Sequence, residues 1–186
     1  DIAVAGPLAR CVADLELALD IVASPLAAFG PMGWLPAQWR RPGPAPHRCR
    51  VVVIADDAQA PVDATVQHAL SGLVDFLRRS GVAVTEDARP VDSALSQRVY
   101  HHLLRAATGA WADDGACQHY RRIAEGLAPE DDSFPARHYR GMTLSHRDWV
   151  AFDQQRAALR RQWAAFFERF DFVITPVATT AAFAHN

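Results

Sequence analysis

Residues 145–176 read SHRDWVAFDQQRAALRRQWAAFFERFDFVITP, and the change of period inside this stretch decides the fold. Trp149, Phe152, Leu159, Trp163, Phe166, Phe167 and Phe170 recur at helical spacing and line one face, while Arg147, Gln154, Gln155, Arg161 and Glu168 occupy the other. Such a one-sided helix belongs on the outside of a layered domain, its apolar face covered by a sheet or a second helix. Ser145 and Asp148 form a capping box that fixes its start. From Asp171 the period shortens: Phe172, Val173, Ile174 and Thr175 are β-branched or aromatic, and Pro176 stops the run, so a short buried strand follows the helix directly.

Working outward, the 50% hydrophobic content over 186 residues is enough for a sizeable core. The formal net charge of −2 gives no overall field for nucleic acid or an anionic membrane, so neither is expected as a partner. All 19 basic residues are arginine; there is no lysine. Cys11, Cys49 and Cys117 are odd in number and lack C-x-x-C spacing, so neither a disulfide framework nor a zinc knuckle is indicated and a reducing cytoplasm fits best. No apolar run reaches the ~20 residues of a membrane span. The chain opens on Asp1 rather than Met, as a piece of something longer would.

Upstream of the deciding stretch, Leu8, Cys11, Val12, Leu15, Leu19 and Val22 mark a first helix, starting either at Pro7 or after Cys11. Residues 25–47 carry six prolines and three glycines and read as a surface-running connection, pinned by Trp34, Leu35 and Trp39. Cys49 to Ala55 is a continuous apolar run, as expected of a strand covered on both faces. Val62, Val66, Leu70, Leu73, Val74 and Leu77 mark a helix ending at Gly81, and Val82 to Thr85 resumes as a strand. Strand, helix and strand of this size make one βαβ unit, right-handed if the strands are parallel. Asp92 to Ala107 is a further helix, with Leu95, Val99, Leu103 and Ala107 inward and Arg98, His102 and Arg105 towards the other side. Residues 108–144, with Pro129, an acidic triplet from Glu130 to Asp132 and Pro135, read as an irregular helical excursion.

No reaction is written in these residues alone. The eight histidines form no H-E-x-x-H, and adjacent His101 and His102 point in different directions from a helix, so solvated or capping roles are expected and no metal site is. Cys117 and His119, two apart on a helix, do not face each other. No serine lies in G-x-S-x-G. The pairs Arg40-Arg41, Arg78-Arg79, Arg121-Arg122 and Arg160-Arg161 are scattered and read as solvated faces.

Several stretches in sequence order carry a resemblance: Gly6-Pro-Leu-Ala-Arg10 with Val12-Ala-Asp14-Leu15 through Asp20-Ile-Val22; Arg50-Val-Val-Val-Ile-Ala-Asp-Asp57 with Pro61-Val-Asp63; Leu144-Ser-His-Arg-Asp-Trp149; Trp163-Ala-Ala-Phe-Phe167; Phe170-Asp171; and Thr175-Pro-Val177. The first resembles the G-P-M-A-R-S-V-x-D-L-A-L-x-L-D stretch of the amidase-signature family, and the rest are similar to that family's later helices and strands, as in bacterial amidases and amidotransferase A subunits. Cys11 departs from the family's usual capping serine. The resemblance implies an α/β fold with a partial mixed β-sheet flanked by helices, residues 1–186 being an internal or C-terminal segment of one amidase domain.

It also implies hydrolysis of carboxylic amides to acid and ammonia or amine. That chemistry uses two serines and a lysine, all lying before the position matched by Asp1, so no catalytic residue is assigned to this chain, and the chain alone is expected to be inactive. Pro176, Val177, Ala178, Thr179 and Phe183 are expected to form part of the substrate-pocket wall, with Arg10 in a turn near the core sheet. No cofactor is implied. A small-molecule amide is the implied partner, and a homo-oligomer or an ammonia-receiving subunit is left open. The alternative is a lysine-free α/β scaffold or binding remnant that kept the fold and lost the chemistry.

Overall fold

The computed structural model of the chain describes residues 6–22 and 45–182, which divide into two compact units, Asp1–Gly43 and Pro44–Asn186. In the first unit, helix α1 spans Val12–Val22. The Cys11 carbonyl accepts the Leu15 amide at 3.3 Å and Arg10 lies in the bend just before, so of the two starts left open the later one is used. No residue of α1 is buried. Most of the proline-rich connection, with Trp34, Leu35 and Trp39, lies outside the described residues; its end, Pro46–Arg48, forms a 3-10 turn.

Among the described residues the second unit has three strands, β1 (Arg50–Val53), β2 (Ala83–Thr85) and β3 (Phe172–Ile174), in the order β2-β1-β3. Every pairing among them is parallel, with Val51 opposite both Val84 and Phe172, so the described part of the sheet has none of the antiparallel pairing that a mixed sheet includes. Among the described residues β1 is central and β2 and β3 are the edges. Helix α2 (Ala64–Arg79) covers one face: Cys49, Val51, Val53, Val74 and Val82 form its core, with Leu77, Val84 and Ile174 packed alongside. Helix α6 (His146–Arg169) covers the other, where Val52 is fully buried against Phe166 and Phe170. The alternation of Val51 and Val53 with Val52 across the pleat is why β1 reads as a continuous apolar run. Burying Phe166 contributes roughly 1.5–3 kcal/mol.

The boundaries have local causes. Asp63 caps α2 by accepting the Thr65 amide at 2.8 Å. At the other end, the Gly81 amide bonds to Arg78 O and the Val82 amide to Leu77 O, with Gly81 at φ 79°; this is a Schellman stop, which a glycine enters without a Cβ penalty. Ser145 Oγ accepts the Asp148 amide at 3.1 Å and donates to Asp148 Oδ2 at 2.6 Å, so the expected capping box is present in a variant where the carboxylate reaches the hydroxyl. Where α6 gives way to β3, Asp171 accepts the Arg50 backbone amide and both prongs of its guanidinium, at 2.7–3.1 Å, while its own amide donates to Arg50 O. That fork pins the start of β3 to the start of β1.

Helices α3 (Ser93–Gly109), α4 (Asp114–Glu125) and α5 (Phe134–Met142) build a helical layer on the N-terminal half of α6. Residues 108–144 are therefore more regular than their prolines suggest. Pro135 sits at the second residue of α5, where a missing N–H leaves no intrahelical bond unmade, and Ser133 caps that helix. α3 and α5 meet backbone to backbone. A Cβ on Gly109 would lie 2.6 Å from Met142 O, and one on Gly141 would lie 2.6 Å from Arg105 Cβ.

Not every aromatic of the α6 stripe is inside. Leu159, Phe166 and Phe170 are buried, but Trp149 and Phe167 are 38% and 48% exposed, Trp149 stacking on His146 instead of entering the core. His102 reverses its expected place. It is 6% exposed, stacked on Phe152 at 4.3 Å, and donates from Nδ1 to the Arg98 carbonyl at 2.8 Å. Among the described residues, the arginine pairs at 78–79, 121–122 and 160–161 are exposed.

Candidate functional site

From β1 the chain turns through α2, on one face, to β2; it then returns through α6, on the other face, to β3 on the opposite side of β1. The chain thus changes direction across the sheet at β1, and the carboxyl ends of β1 and β3 stay paired, the Ile54 amide donating to Ile174 O at 2.9 Å, with the hollows lying just beyond them. Open α/β sheets bind ligands at such switch points because no element crosses over them.

Two adjoining hollows occupy this end of the sheet. One, of about 280 Å³, is lined by Ile54, Asp56 and Val62 from the chain after β1 and by Thr175, Pro176, Val177, Ala178 and Thr179 after β3. The other, of about 350 Å³, lies under Arg89 and Val91 and reaches Gln97 and Tyr100 of α3 and Trp163 of α6. Ile54, Asp57, Ala60 and Thr175 border both, so the loop Asp56–Asp63 forms the partition. Four of the five residues expected in a pocket wall, Pro176 to Thr179, come together here; Phe183 lies outside the described residues.

The partition is held by polar bonds rather than by packing. Asp56 Oδ1 accepts the Val62 amide at 2.8 Å, and Asp57 Oδ1 accepts the Gln59 amide at 2.8 Å. Arg89, from the loop between β2 and α3, donates to Asp57 Oδ2 at 3.0 Å and to the Asp56 carbonyl at 2.7 Å. The Asp63 amide in turn donates to Thr179 O at 2.7 Å, which ties the partition to the opposite wall. Accepting the Thr65 amide holds the Asp63 carboxyl below its usual range. These carboxylates are engaged in shaping the loop, and no serine, cysteine or histidine lies beside them in the smaller hollow to form a nucleophile–base pair.

A third hollow, of about 440 Å³, opens in the helical layer between His102, Ala124, Arg140, Ser145, Asp148 and Phe152. Burial pushes the His102 imidazole below its ordinary range, and His101 and His138 likewise, with Arg137 and Arg105 adding repulsion at His101. Among the described residues no three His, Cys, Asp or Glu side chains converge as metal ligands would, and no helix is long and apolar enough to cross a membrane. Sequence reasoning missed Arg89 and Asp57. They are 32 residues apart, and only the adjacent acids Asp56 and Asp57 at a strand's end hinted at a structured turn.

Comparison with known proteins gives the site a context. The profile of the family described as Amidase matches residues 1–186. Indoleacetamide hydrolase of Bradyrhizobium japonicum is 28% identical over 177 residues, covering 92% of this chain and 35% of that protein. The indoleacetamide hydrolase of Bradyrhizobium diazoefficiens is also 28% identical, over 94% of this chain and 32% of its own length. In structure, a fatty acid amide hydrolase superposes with a TM-score of 0.65 at 20% identity, over 95% of this chain and 31% of that one, a likeness of fold. The chain spans about a third of the length of these relatives.

Proposed function

The chain belongs to the amidase family, and on that premise we propose that it is the scaffold and part of the substrate-pocket wall of an enzyme hydrolysing carboxylic amides to acid and ammonia or amine. The family match over the whole chain carries this reading. Support from the geometry is the hollow beyond the carboxyl ends of β1 and β3, whose wall Pro176–Thr179 follows a strand end of the kind where open α/β sheets bind ligands. We assign the Ser-Ser-Lys centre of the reaction to sequence outside residues 1–186, because these contain no lysine and no two adjacent serines. Without nucleophile and base, the barrier to C–N cleavage stays close to its uncatalysed height.

The names of the two curated relatives make an arylacetamide such as indole-3-acetamide the first substrate to assay. Three cysteines without C-x-x-C spacing support a reducing compartment, the cytoplasm in our reading, and the edges of the sheet among the described residues leave room for a second copy. The test is ammonia or amine release from aliphatic and aryl amides, by the native gene product and by residues 1–186 alone. We expect turnover by the first and none by the second. A native product that hydrolyses no amide would favour the scaffold remnant, and turnover by residues 1–186 that a substitution within them abolishes would place the chemistry here after all.

A further inference from the structure

The pocket wall Pro176–Thr179 lies on a segment that leaves strand β3, and the bond from the Asp63 amide to Thr179 O ties it to the body of the unit. Asp63 is both the cap of α2 and the last residue of the partition loop. The loop itself has few apolar anchors, since Asp56, Ala58, Gln59 and Pro61 are exposed. Its shape comes from the antiparallel bridge between Asp57 and Ala60, the two amides held by Asp56 and Asp57, and the guanidinium of Arg89.

We propose that Arg89 is a positioning residue of the crevice: by gripping the Asp57 carboxylate and the Asp56 carbonyl together it fixes the partition loop, and through Asp63 and Thr179 it sets the wall that faces the substrate. A guanidinium suits this grip better than an ammonium, because its planar fork sends separate N–H groups to two acceptors on consecutive residues where a lysine offers a compact point charge. Arg89 borders the larger hollow only, so its effect on the smaller one passes through the loop. The inference rests on the pocket-wall reading above for its effect on substrate, but its structural half stands apart from that reading.

The experiment uses the native gene product carrying Arg89→Met, Arg89→Lys or Asp57→Asn, with Arg78→Met as control, since Arg78 and Glu86 form an exposed ion pair and line neither hollow. Two readouts are taken: amide hydrogen exchange at Val62 and Asp63 relative to Val52 and Ile54, and KM against kcat for indole-3-acetamide or whichever assayed amide turns over. Arg89→Met is expected to speed exchange at Val62 and Asp63 about fivefold while leaving Val52 unchanged, the scale set by one exposed ion pair. KM should rise by a similar factor with kcat little altered, the pattern of lost uniform binding. Arg89→Lys should recover only part of both, Asp57→Asn should mimic Arg89→Met, and Arg78→Met should change neither. Unchanged exchange at Asp63 overturns the positioning role, even if KM moves. Faster exchange with unchanged KM, or with no turnover to measure, keeps the latch and removes the wall from the substrate.

Discussion

The two ends of α6 meet two different kinds of interior. Its C-terminal half lies on the sheet, where Phe166 and Phe170 close over Val52 and the contact is wholly apolar. The N-terminal half lies on α3, where Phe152 stacks on a buried histidine beside an open hollow, and the neighbouring α3–α5 contact is made by two glycines, with histidines and arginines around it. One helix therefore belongs to a dry layer and a polar one. The dry layer takes its strength from area removed from water, whereas the polar layer depends on close approach and on which groups stay uncharged.

Truncating one ring in each layer separates them most widely. Phe166→Ala removes a side chain enclosed on the sheet, and a loss of about 3–5 kcal/mol is expected, a large share of a domain's stability. Phe152→Ala should cost clearly less, because that ring is half-buried and one side already faces a hollow. Denaturant midpoints of the two variants provide the check. Equal losses would mean that both halves of α6 are packed alike.

The next effect is steric and belongs to the polar layer. In Gly141→Ala the added methyl would lie 2.6 Å from Arg105 Cβ, and in Gly109→Ala 2.6 Å from Met142 O; both atoms are fixed by the backbone, so no side-chain rotation relieves either contact. Overpacking of this kind costs roughly 1–3 kcal/mol, and both variants are expected at the upper end. A thermal melt that leaves either variant unshifted would show that α3 and α5 part without cost.

These glycines also mark where the sequence stopped being informative. α2, α6, β1 and β3 are legible because an apolar stripe and a change of period state both the element and the face it buries, and Gly81 states a helix end. Nothing local distinguishes Gly109 or Gly141 from a loop glycine; what makes them necessary is the backbone of a helix some thirty residues away. His102 misled for a related reason. It adjoins Leu103 on the buried side of α3, but a polar residue is assigned outward until a partner such as Phe152 is known. In the crevice, the strand ends and Pro176 were readable as positions, while the Arg89 grip that shapes them was not.

Acid should then separate the layers without any substitution. His101, His102 and His138 have folded pKa values lowered first of all by burial, with the charges of Arg98, Arg105 and Arg137 opposing protonation, while at His102 the Arg98 carbonyl and Asp132 favour it. His101 Nδ1 is buried with no partner, so a proton there would be a donor without an acceptor. A depressed folded pKa means that the stability is fully present above the unfolded value near ~6.5 and is lost as pH falls from there through the folded pKa. At the sheet, Asp171 is held down to about 2 by the side chain and the backbone amide of Arg50, so that contribution survives until pH falls below ~3.9 and is lost towards 2. Between pH 7 and 5, hydrogen exchange corrected for its intrinsic pH dependence should quicken in α3 and α5 and not in β1. Uniform quickening would mean that the two layers open as one.

The smallest expected effect turns on a single atom at two helix starts. Ser145-His-Arg-Asp148 opens α6 and Cys11-Val-Ala-Asp14 precedes α1, the same pattern of cap and carboxylate with oxygen in one and sulfur in the other. At Ser145 the hydroxyl both accepts the Asp148 amide and donates to its carboxylate. A thiol is a weak acceptor and a weak donor, so Cys11 leaves much of that stabilisation unused even though its carbonyl already takes the Leu15 amide. Cys11→Ser should stabilise α1 by up to ~1 kcal/mol, and Ser145→Cys should cost α6 about as much. Because α1 buries no residue, a global melt would miss the gain, and the amides of Ala13 and Asp14 are the place to look. Slower exchange there in Cys11→Ser, with faster exchange at Asp148 in Ser145→Cys, is the expected pair of results; no change at Ala13 and Asp14 would mean that the α1 start is held by something other than its cap.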